Sequence, residues 1–234
     1  MIELKDYKRY FPTFTPPTDK SQEEYFDELV EEGVISRYGE IDDALKVRIE
    51  EEKRVYKKLD YVNTVLVIAD LINGLKAESV EFVMSGLQCS SVINYILGIT
   101  EIDPIKYGFI FERYINENAE YRNFYPNYYF NANSENFGKI IKYIKSRYGK
   151  NSLLKLKATY DYYSNYLFGI NFEELDIFEH KKNKRQCALT AMDAERMGLF
   201  VFYLYNDKLL NILSDCKSKI KDELKFDMDY CFDV

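Results

Sequence analysis

The stretch FYPNYYFNANSENF, residues 124–137, has the pattern of a β-strand that runs into a helix. Aromatic residues and asparagines follow Pro126, and the Ser134 hydroxyl can accept a hydrogen bond from a free amide at the start of the helix. The helix carries isoleucines on one side and lysines on the other, and Gly149 ends it. The polar positions of the strand hold Asn and Tyr, where an active-site strand of this kind would carry carboxylates.

The composition predicts a globular protein. The chain has 234 residues, of which 47% are hydrophobic, so it can bury one substantial core. Its longest apolar run, around residues 62–72, is interrupted by polar side chains and is far shorter than the roughly 20 residues that cross a bilayer. The N-terminus has no apolar signal core. We therefore expect a cytoplasmic protein that makes no membrane contact.

Cysteine and histidine usage argues against a zinc site. Cys89, Cys187, Cys216 and Cys231 form no CxxC pair, and His180 is the single histidine. A Cys-His or Ser-His catalytic pair would have to use this one histidine. We expect free thiols in a reducing compartment, with no metal site and no cofactor.

The charge is unevenly distributed along the chain. A net charge of −7 argues against a protein whose main role is to coat nucleic acid. Residues 21–52 hold 12 acidic and three basic residues, whereas residues 138–157 hold seven basic residues and no acid. The basic segment is either the solvated face of a helix or a surface that follows phosphates. The candidate nucleic-acid-binding residues, in this segment and in the loop after His180, are Lys139, Lys142, Lys145, Arg147, Lys150, Lys181, Lys182, Lys184 and Arg185.

Helices are predicted to precede the first strand. Ser21 and Glu24 have capping-box spacing for a helix that extends to about Arg37, and two more helices begin near residues 42 and 61. Residues 80–86 predict a short strand whose Ser-Gly turn leads into a helix, an arrangement that can bind anions. The remaining predictions are a tyrosine-rich helix and basic loop over 151–185, a strand over 198–205 and a helix from about 207.

Three segments together resemble a known family. They are FPTFTPPTDKSQEEYFDELVEEGVISRYG (11–39), LGITEIDPIKYGFIFERYIN (97–116) and LTAMDAERMGLFVFYLYNDKLLNIL (189–213). In this order they resemble the alpha subunit of bacterial DNA polymerase III, a C-family replicative polymerase. The resemblance covers residues 11–150 and 186–230, and its most specific block is 97–116.

The resemblance implies an α+β fold. The expected architecture is a polymerase-beta-like nucleotidyltransferase palm, a small mixed sheet packed by helices, with a reduced thumb-like helical insertion. It divides the chain into an N-terminal arm (1–20), a degenerate palm domain (21–150 and 186–230) and a thumb-like remnant (151–185). It also implies that the chain begins about where the family's phosphoesterase-like domain ends and stops before the fingers domain.

The family's palm performs phosphoryl transfer with two Mg²⁺ ions held by carboxylates on adjacent strands. Its Pro-Asp-x-Asp-x-Asp-Phe strand matches the chain from Pro126, which places the two metal-binding Asp positions on Asn127 and Tyr129 and the third Asp on Asn131. Its Lys-x-Asp-Phe-Leu-Gly strand matches residues 201–206, so that its Asp falls on Tyr203 and its Lys on Val201. Neutral Asn and Tyr oxygens do not balance two divalent cations. The resemblance therefore implies a palm without catalytic residues.

The family's phosphate-binding turn is also altered. Its Gly-Arg-Gly-Ser-x-x-Gly-Ser motif matches residues 84–91, which keep Gly86 and Ser91 but lack the Arg and the other glycines. A neutral turn that contains Leu87 is a poor triphosphate cradle. Asp227, Asp229 and Asp233 have metal-ligand spacing, but an acidic connection occupies the same place in the family.

The sequence leaves three functions open. The preferred one is a catalytically inactive homologue, a pseudoenzyme that binds or regulates replication proteins or DNA. The second is a polymerase fragment or nucleotidyltransferase that acts with a partner chain, and the third is a DNA-binding protein that uses the basic 139–157 segment. Tyr128, Tyr129 and Tyr203 are expected on adjacent strands, where they would either fill a former cleft or stack bases of single-stranded nucleic acid.

Overall fold

The computed structural model describes residues 6–118, 125–157, 164–181 and 184–219. Its helices are α1 Gln22–Arg37, α2 Asp43–Lys58, α3 Val62–Ala77, α4 Val92–Ile96, α5 Ser134–Tyr148, α6 Ala191–Arg196 and α7 Lys208–Lys219. Its strands are β1 Val83–Ser85, β2 Tyr128–Ala132, β3 Leu153–Lys155, β4 Ser164–Phe168, β5 Phe178–Lys181, β6 Lys184–Cys187 and β7 Val201–Asn206. Short 3₁₀ turns lie at Tyr7–Tyr10, Leu87–Ser90, Phe111–Arg113 and Phe172–Glu174.

The first two helices begin at residues whose side chains cap them. Ser21 accepts a hydrogen bond from the Glu24 amide while the Glu24 carboxylate accepts one from the Ser21 amide, which completes the predicted capping box of α1. Asp42 caps α2 by accepting from the Leu45 amide at 2.8 Å. The predicted helical start of the fold is thus confirmed.

The central sheet has five strands in the order β1-β2-β7-β4-β3. β2 and β7 are parallel, and the other neighbours are antiparallel. In the parallel pair Tyr129 lies beside Tyr203. β5 and β6 form a separate two-stranded hairpin. The chain therefore has a mixed α+β architecture with a small mixed sheet packed by helices, as predicted.

The two faces of the sheet differ because side chains alternate along each strand. Phe130 and Phe202 point into the main core, where their rings stack at 4.3 Å, and α5 packs over this face through Ile140 and Ile144. On the opposite face, Leu167 and Val201 belong to a smaller core beneath α6. The part of this second face formed by β1, β2 and the end of β7 lies beyond α6.

The helix predicted within residues 151–185 is wrong for the part of that segment that the structure describes. β3 and β4 pair within the central sheet, and the rest of the described segment forms a 3₁₀ turn and most of the β5–β6 hairpin. Residues 165–168 of β4 are all buried, so the strand lacks the alternation that marks a strand in sequence. The division into arm, palm and thumb-like remnant stays a prediction.

Two smaller predictions have mixed outcomes. Asn133, and not Ser134, caps α5, because the Asn133 side chain accepts the Asn136 amide at 2.8 Å. Cys89, Cys187 and Cys216 are free thiols, and Cys231 lies outside the described residues. Within the described ranges, no helix combines the length and apolar character that a membrane span requires.

Candidate functional site

Three tyrosine rings lie side by side on the second face of the sheet; we call Tyr129, Tyr203 and Tyr205 the tyrosine face. The rings of Tyr129 and Tyr203 stack across the parallel strands with centroids 4.7 Å apart, and Tyr205 follows at 6.0 Å from Tyr129. All three side chains are half-buried. Because side chains alternate along a strand, these rings lie on the sheet face that Phe130 and Phe202 do not occupy. They cover the part of that face next to α6.

Hydrogen bonds fix the polar groups around these rings. Tyr203 donates its hydroxyl hydrogen to Glu195 on α6, and the Asn127 side-chain amide donates to the Tyr129 hydroxyl at 3.3 Å. On the β1 side, Asn131 donates to the Ser85 hydroxyl at 2.6 Å. These polar side chains therefore hydrogen-bond to one another. The surface that remains consists of aromatic rings and side-chain amides.

The Ser-Gly turn after β1 lies directly under Tyr129. Gly86 has φ +96°, a left-handed conformation that side chains rarely adopt. A Cβ atom on Gly86 would lie 2.7 Å from Cδ2 of Tyr129. The buried Gln88 side chain donates to the Tyr129 backbone oxygen at 3.3 Å and so ties the turn to β2. The ring of Tyr129 thus rests on the turn.

The helix start that follows the turn holds a carboxylate of the chain itself. Glu52 from α2 is fully buried and accepts hydrogen bonds from the Val92 and Ile93 amides, each at 3.1 Å, and from the Ser91 hydroxyl at 2.7 Å. Arg48 completes the set with an ion pair at 2.6 Å. Burial raises the pKa of the Glu52 carboxyl, while these donors act in the opposite direction. The donors that could bind an external anion at the start of α4 are occupied.

Sequence reasoning missed the role of Glu52. It lies in the run of acids 50–52, which suggests a solvated helix face. Its spacing gives the missing signal, since Leu45, Ile49, Glu52 and Tyr56 are one turn apart in succession and all four are buried.

A cavity of about 340 Å³ opens beside the tyrosine face, next to Asn127. Tyr125, Tyr129 and Leu87 supply apolar lining, and Glu112, Arg113 and Glu195 supply charge. The cavity is therefore amphipathic and holds two carboxylates as well as a guanidinium group.

The side-chain oxygens at the matched positions are unsuitable ligands for a pair of Mg²⁺ ions. Burial raises the pKa of the Tyr129 and Tyr203 hydroxyls, and the hydrogen bond to Glu195 raises that of Tyr203 further. Both phenols are therefore neutral at physiological pH, and Asn127 offers a neutral amide. Mg²⁺ prefers anionic oxygens in an octahedral arrangement. No cluster of three or more His, Cys, Asp or Glu side chains with metal-binding geometry occurs among the described residues, and Asp227, Asp229 and Asp233 fall outside them.

The structure brings together most residues of the predicted strand site. Asn127, Tyr129, Asn131 and Tyr203 lie along the same face of β2 and β7. Tyr128 does not, because it points into the main core and is fully buried. The predicted row of three tyrosines is therefore wrong at Tyr128, and Tyr205 takes the third place.

The predicted basic surface lies elsewhere. α5 covers the other face of the sheet, so its lysines and the tyrosine face do not form one surface. Lys139 pairs with Glu135 at 2.6 Å, and Arg147 pairs with Asp70 at 2.6 Å. The described residues form no ion pair with Lys142, Lys145 or Lys150. In the β5–β6 hairpin, Lys181, Lys184 and Arg185 lie on the strands, and Lys182 falls outside the described residues. Nucleic-acid binding by these nine residues stays a prediction.

Comparison with known proteins gives a consistent result. Residues 24–166 match the family described as the bacterial DNA polymerase III alpha NTPase domain. The DNA polymerase III subunit alpha of Aquifex aeolicus is 31% identical over 150 residues, which cover 62% of this chain and 13% of that protein. The subunit from Treponema pallidum is 31% identical over 59% of this chain and 12% of its own length.

A second group of relatives extends the match. The error-prone DNA polymerase of Vibrio parahaemolyticus is 28% identical over 192 residues, or 79% of this chain and 18% of the relative. The chain thus spans between 12 and 18% of the length of these three curated relatives.

Proposed function

The chain belongs to the bacterial DNA polymerase III alpha NTPase domain family, and from this premise we propose that it is a non-catalytic homologue of that subunit's palm. In this proposal the sheet and its helices are a polymerase-beta-like nucleotidyltransferase scaffold, and the catalytic carboxylates have been replaced. The protein then acts in the cytoplasm as a binding or regulatory module for replication proteins or DNA.

The stacking of Tyr129 on Tyr203 is the observation that carries the proposal. Two-metal phosphoryl transfer needs carboxylates on adjacent strands, aimed at a shared point. The matched positions instead hold two neutral phenols whose rings are 4.7 Å apart. The rings occupy the space that metal ions and their ligands would need, so a change of protonation alone would not restore the chemistry.

The filled start of α4 supports the same conclusion. Triphosphate binding at a strand-turn-helix unit uses free amides at the helix N-terminus. Here Glu52 accepts from the Val92 and Ile93 amides, and an incoming phosphate would meet a carboxylate. Substrate binding through this turn would therefore be opposed by charge.

A nucleotide-incorporation assay tests the loss of catalysis. The purified chain is given a primed template, labelled deoxynucleotides and Mg²⁺ or Mn²⁺, alone and with extract from its source cells. The proposal expects no incorporation that depends on this chain. Glu112 and Glu195 are the carboxylates in the cavity beside Asn127, so they are the test positions. Incorporation abolished by Glu112→Gln or Glu195→Gln would establish the enzyme alternative, in which a partner chain completes the site.

An affinity capture experiment tests the binding role. The tagged chain is incubated with extract before and after nuclease treatment, and bound proteins are identified by mass spectrometry. Replication proteins that survive nuclease treatment support direct binding, and their loss with nuclease indicates a DNA bridge. Capture that recovers neither replication proteins nor DNA contradicts the proposed role. An unrelated protein of similar acidity is the matched control for charge.

A further inference from the structure

A groove on the helical layer has the features of a docking surface. α1 and α2 run antiparallel, because Asp27 near the start of α1 pairs with Lys57 near the end of α2 at 2.7 Å. Towards the connection between the helices, Val34, Ile35 and Ile49 line a groove of about 520 Å³. We name this feature the α1–α2 groove.

The floor of the α1–α2 groove is apolar, and one of its aliphatic side chains is exposed to solvent. Val30 and Ile49 are buried at its base, and Ile41 is half-buried at its end. Ile35 is 72% exposed, which is high for a branched aliphatic side chain on a helix. An apolar groove that carries an exposed aliphatic side chain and has polar margins is typical of an interaction site.

Charged side chains of both signs line the margins of the groove. Glu31 and Glu50 alternate there with Lys46 and Lys53, and Glu40 lies in the connection between the helices. Of the lysines at the groove, Lys46 pairs with Asp43 at 3.2 Å, and Lys53 pairs with Glu50 at the same distance. In the described part of the chain, Glu31 and Glu40 form no ion pair. Residues 21–52 hold 12 acids and three bases, so the groove lies in a negative field.

We propose that the α1–α2 groove binds a basic amphipathic helix of a protein partner. Two antiparallel helices present ridges and a groove into which the side chains of a third helix can pack. The lining positions on α2 from Lys46 to Lys53 span two turns, or roughly 10 Å, so apolar anchors at i, i+3 and i+7 match the floor. Lysines and arginines beside the anchors would meet Glu31 and Glu40.

Charge and packing favour this occupant over others. A phosphate backbone would be repelled by the surplus of acids in residues 21–52. A second copy would bring an equally acidic α1–α2 pair, and the basic helix α5 has its isoleucines in the core. The groove lies on the helical layer and not on the tyrosine face, so its occupancy is independent of whether the chain incorporates nucleotides.

Fluorescence anisotropy with a designed probe tests the proposal on the full chain. The probe is a labelled helical peptide of about 14 residues, with leucines at i, i+3, i+7 and i+10 and lysines on both flanks. One control peptide replaces its leucines with serine, and another replaces its lysines with glutamate. We expect the probe to bind, and its affinity to weaken as the salt concentration rises. Ile35→Glu and Glu31→Lys should each reduce the affinity by about tenfold. Leu209→Glu, at a residue of α7 that is 62% exposed, should leave binding unchanged.

The opposite results would overturn the proposal. It is wrong if neither the probe nor its controls bind, if the glutamate peptide binds as well as the lysine peptide, or if Ile35→Glu binds like the unaltered chain. Sedimentation of the unaltered chain gives a further outcome. A dimer that Ile35→Glu dissociates would show that a second copy fills the groove.

Discussion

Gly86 and Tyr129 meet at the turn after β1: a Cβ atom on Gly86 would lie 2.7 Å from Cδ2 of the Tyr129 ring. With φ +96° and ψ −163°, Gly86 occupies a region that other residues avoid. We expect Gly86→Ala to lower the free energy of unfolding by about 1–3 kcal/mol through backbone strain, with a further loss from the ring contact. Urea unfolding, monitored by tyrosine fluorescence, measures this change in the free energy of unfolding.

Gly149→Ala is the matched control for Gly86→Ala. Gly149 also combines a positive φ with an extended ψ, at +105° and 155°, but no atom lies within 4 Å of its added Cβ. It should therefore show the backbone cost alone. Equal losses of stability in the two variants would mean that the Tyr129 ring does not press against the turn. In that case Tyr129→Ala, added to Gly86→Ala, should not recover any of the lost stability.

Glu52 is the position where removing one group should cost most. Loss of its carboxylate removes the buried acceptor of four donors, which are the Arg48 Nε–H, the Ser91 hydroxyl and the Val92 and Ile93 amides. Breaking a buried ion pair from one side costs about 3–5 kcal/mol, and we expect Glu52→Ala to lose that much stability in urea unfolding. Glu52→Gln should lose less, because the amide oxygen still accepts a hydrogen bond.

Glu51→Gln supplies the comparison for Glu52. Glu51 is its neighbour in the chain, is exposed, and pairs with Arg54 at 2.7 Å on the helix surface. Exposed pairs of this kind contribute little, so this variant should unfold close to the unaltered chain. A Glu52→Ala variant as stable as Glu51→Gln would contradict the buried network.

The sequence was sufficient for the helical layer because local chemistry sets its boundaries. Ser21 and Asp42 cap the first two helices, and the glycines at 39 and 149 sit past helix ends with positive φ. β1, β2 and β7 are also predictable from the sequence, since each is a short run rich in apolar or aromatic residues next to a helix. These elements need no information about distant partners.

The remaining elements depend on tertiary pairing. β4 is central, lying between β3 and β7, and its residues 165–168 are buried on both faces, so no alternation distinguishes it from a buried helix. Its aromatic content favours a strand, but its burial on both faces comes from its place between β3 and β7. At the candidate site, motif matching locates Tyr129 and Tyr203. The contact between Glu52 and α4 joins residues 40 positions apart, and its only signal in the sequence is the helical spacing of Glu52 with the buried residues of α2.

Glu101 gives a prediction about acid. Burial alone would raise its pKa, but hydrogen bonds from Arg37, at 2.8 Å, and from Lys76 hold the pKa below the ordinary value of 4.5. A lowered pKa contributes stability above about pH 4.5, and that contribution is lost as pH falls through the folded-state pKa. We expect Glu101→Gln to lower Tm at pH 7 by about 2–4 °C, for a loss of about 1 kcal/mol.

The test for Glu101 is the pH dependence of that difference. Thermal unfolding of both proteins between pH 7 and pH 3 should show the gap in Tm narrowing below pH 4.5. Glu112→Gln is a suitable control, because Glu112 is exposed and forms no ion pair with any described residue. A gap that stays constant down to pH 3 would show that Glu101 does not titrate with a lowered pKa.

The basic side of α5 predicts salt-sensitive DNA binding. Lys142, Lys145 and Lys150 form no ion pair within the described residues, so their charge is available to phosphates. Changing all three to Gln should weaken a gel shift with single-stranded DNA and reduce the slope of log K against log salt by about 2, since each phosphate contact contributes about 0.7. Lys8, Lys20 and Lys58 changed to Gln give the same loss of charge elsewhere and should leave the slope intact. Equal effects of the two triple variants would assign binding to net charge alone.

Restoring carboxylates to the tyrosine face tests the proposed origin of the site. Tyr129 and Tyr203 are register partners on parallel strands, and Asn127 lies two residues before Tyr129 on the same face. The variant Asn127→Asp, Tyr129→Asp, Tyr203→Asp would bring three carboxylates together without a balancing cation, so it should be less stable than the unaltered chain and should gain stability with Mn²⁺. Thermal unfolding with and without Mn²⁺, together with electron paramagnetic resonance of free Mn²⁺, measures both effects.

A second triple variant serves as the comparison and places three carboxylates at the other end of the same face: Val83→Asp, Asn131→Asp and Tyr205→Asp. A folded first variant that binds no more Mn²⁺ than this comparison would mean that these positions never formed a metal site.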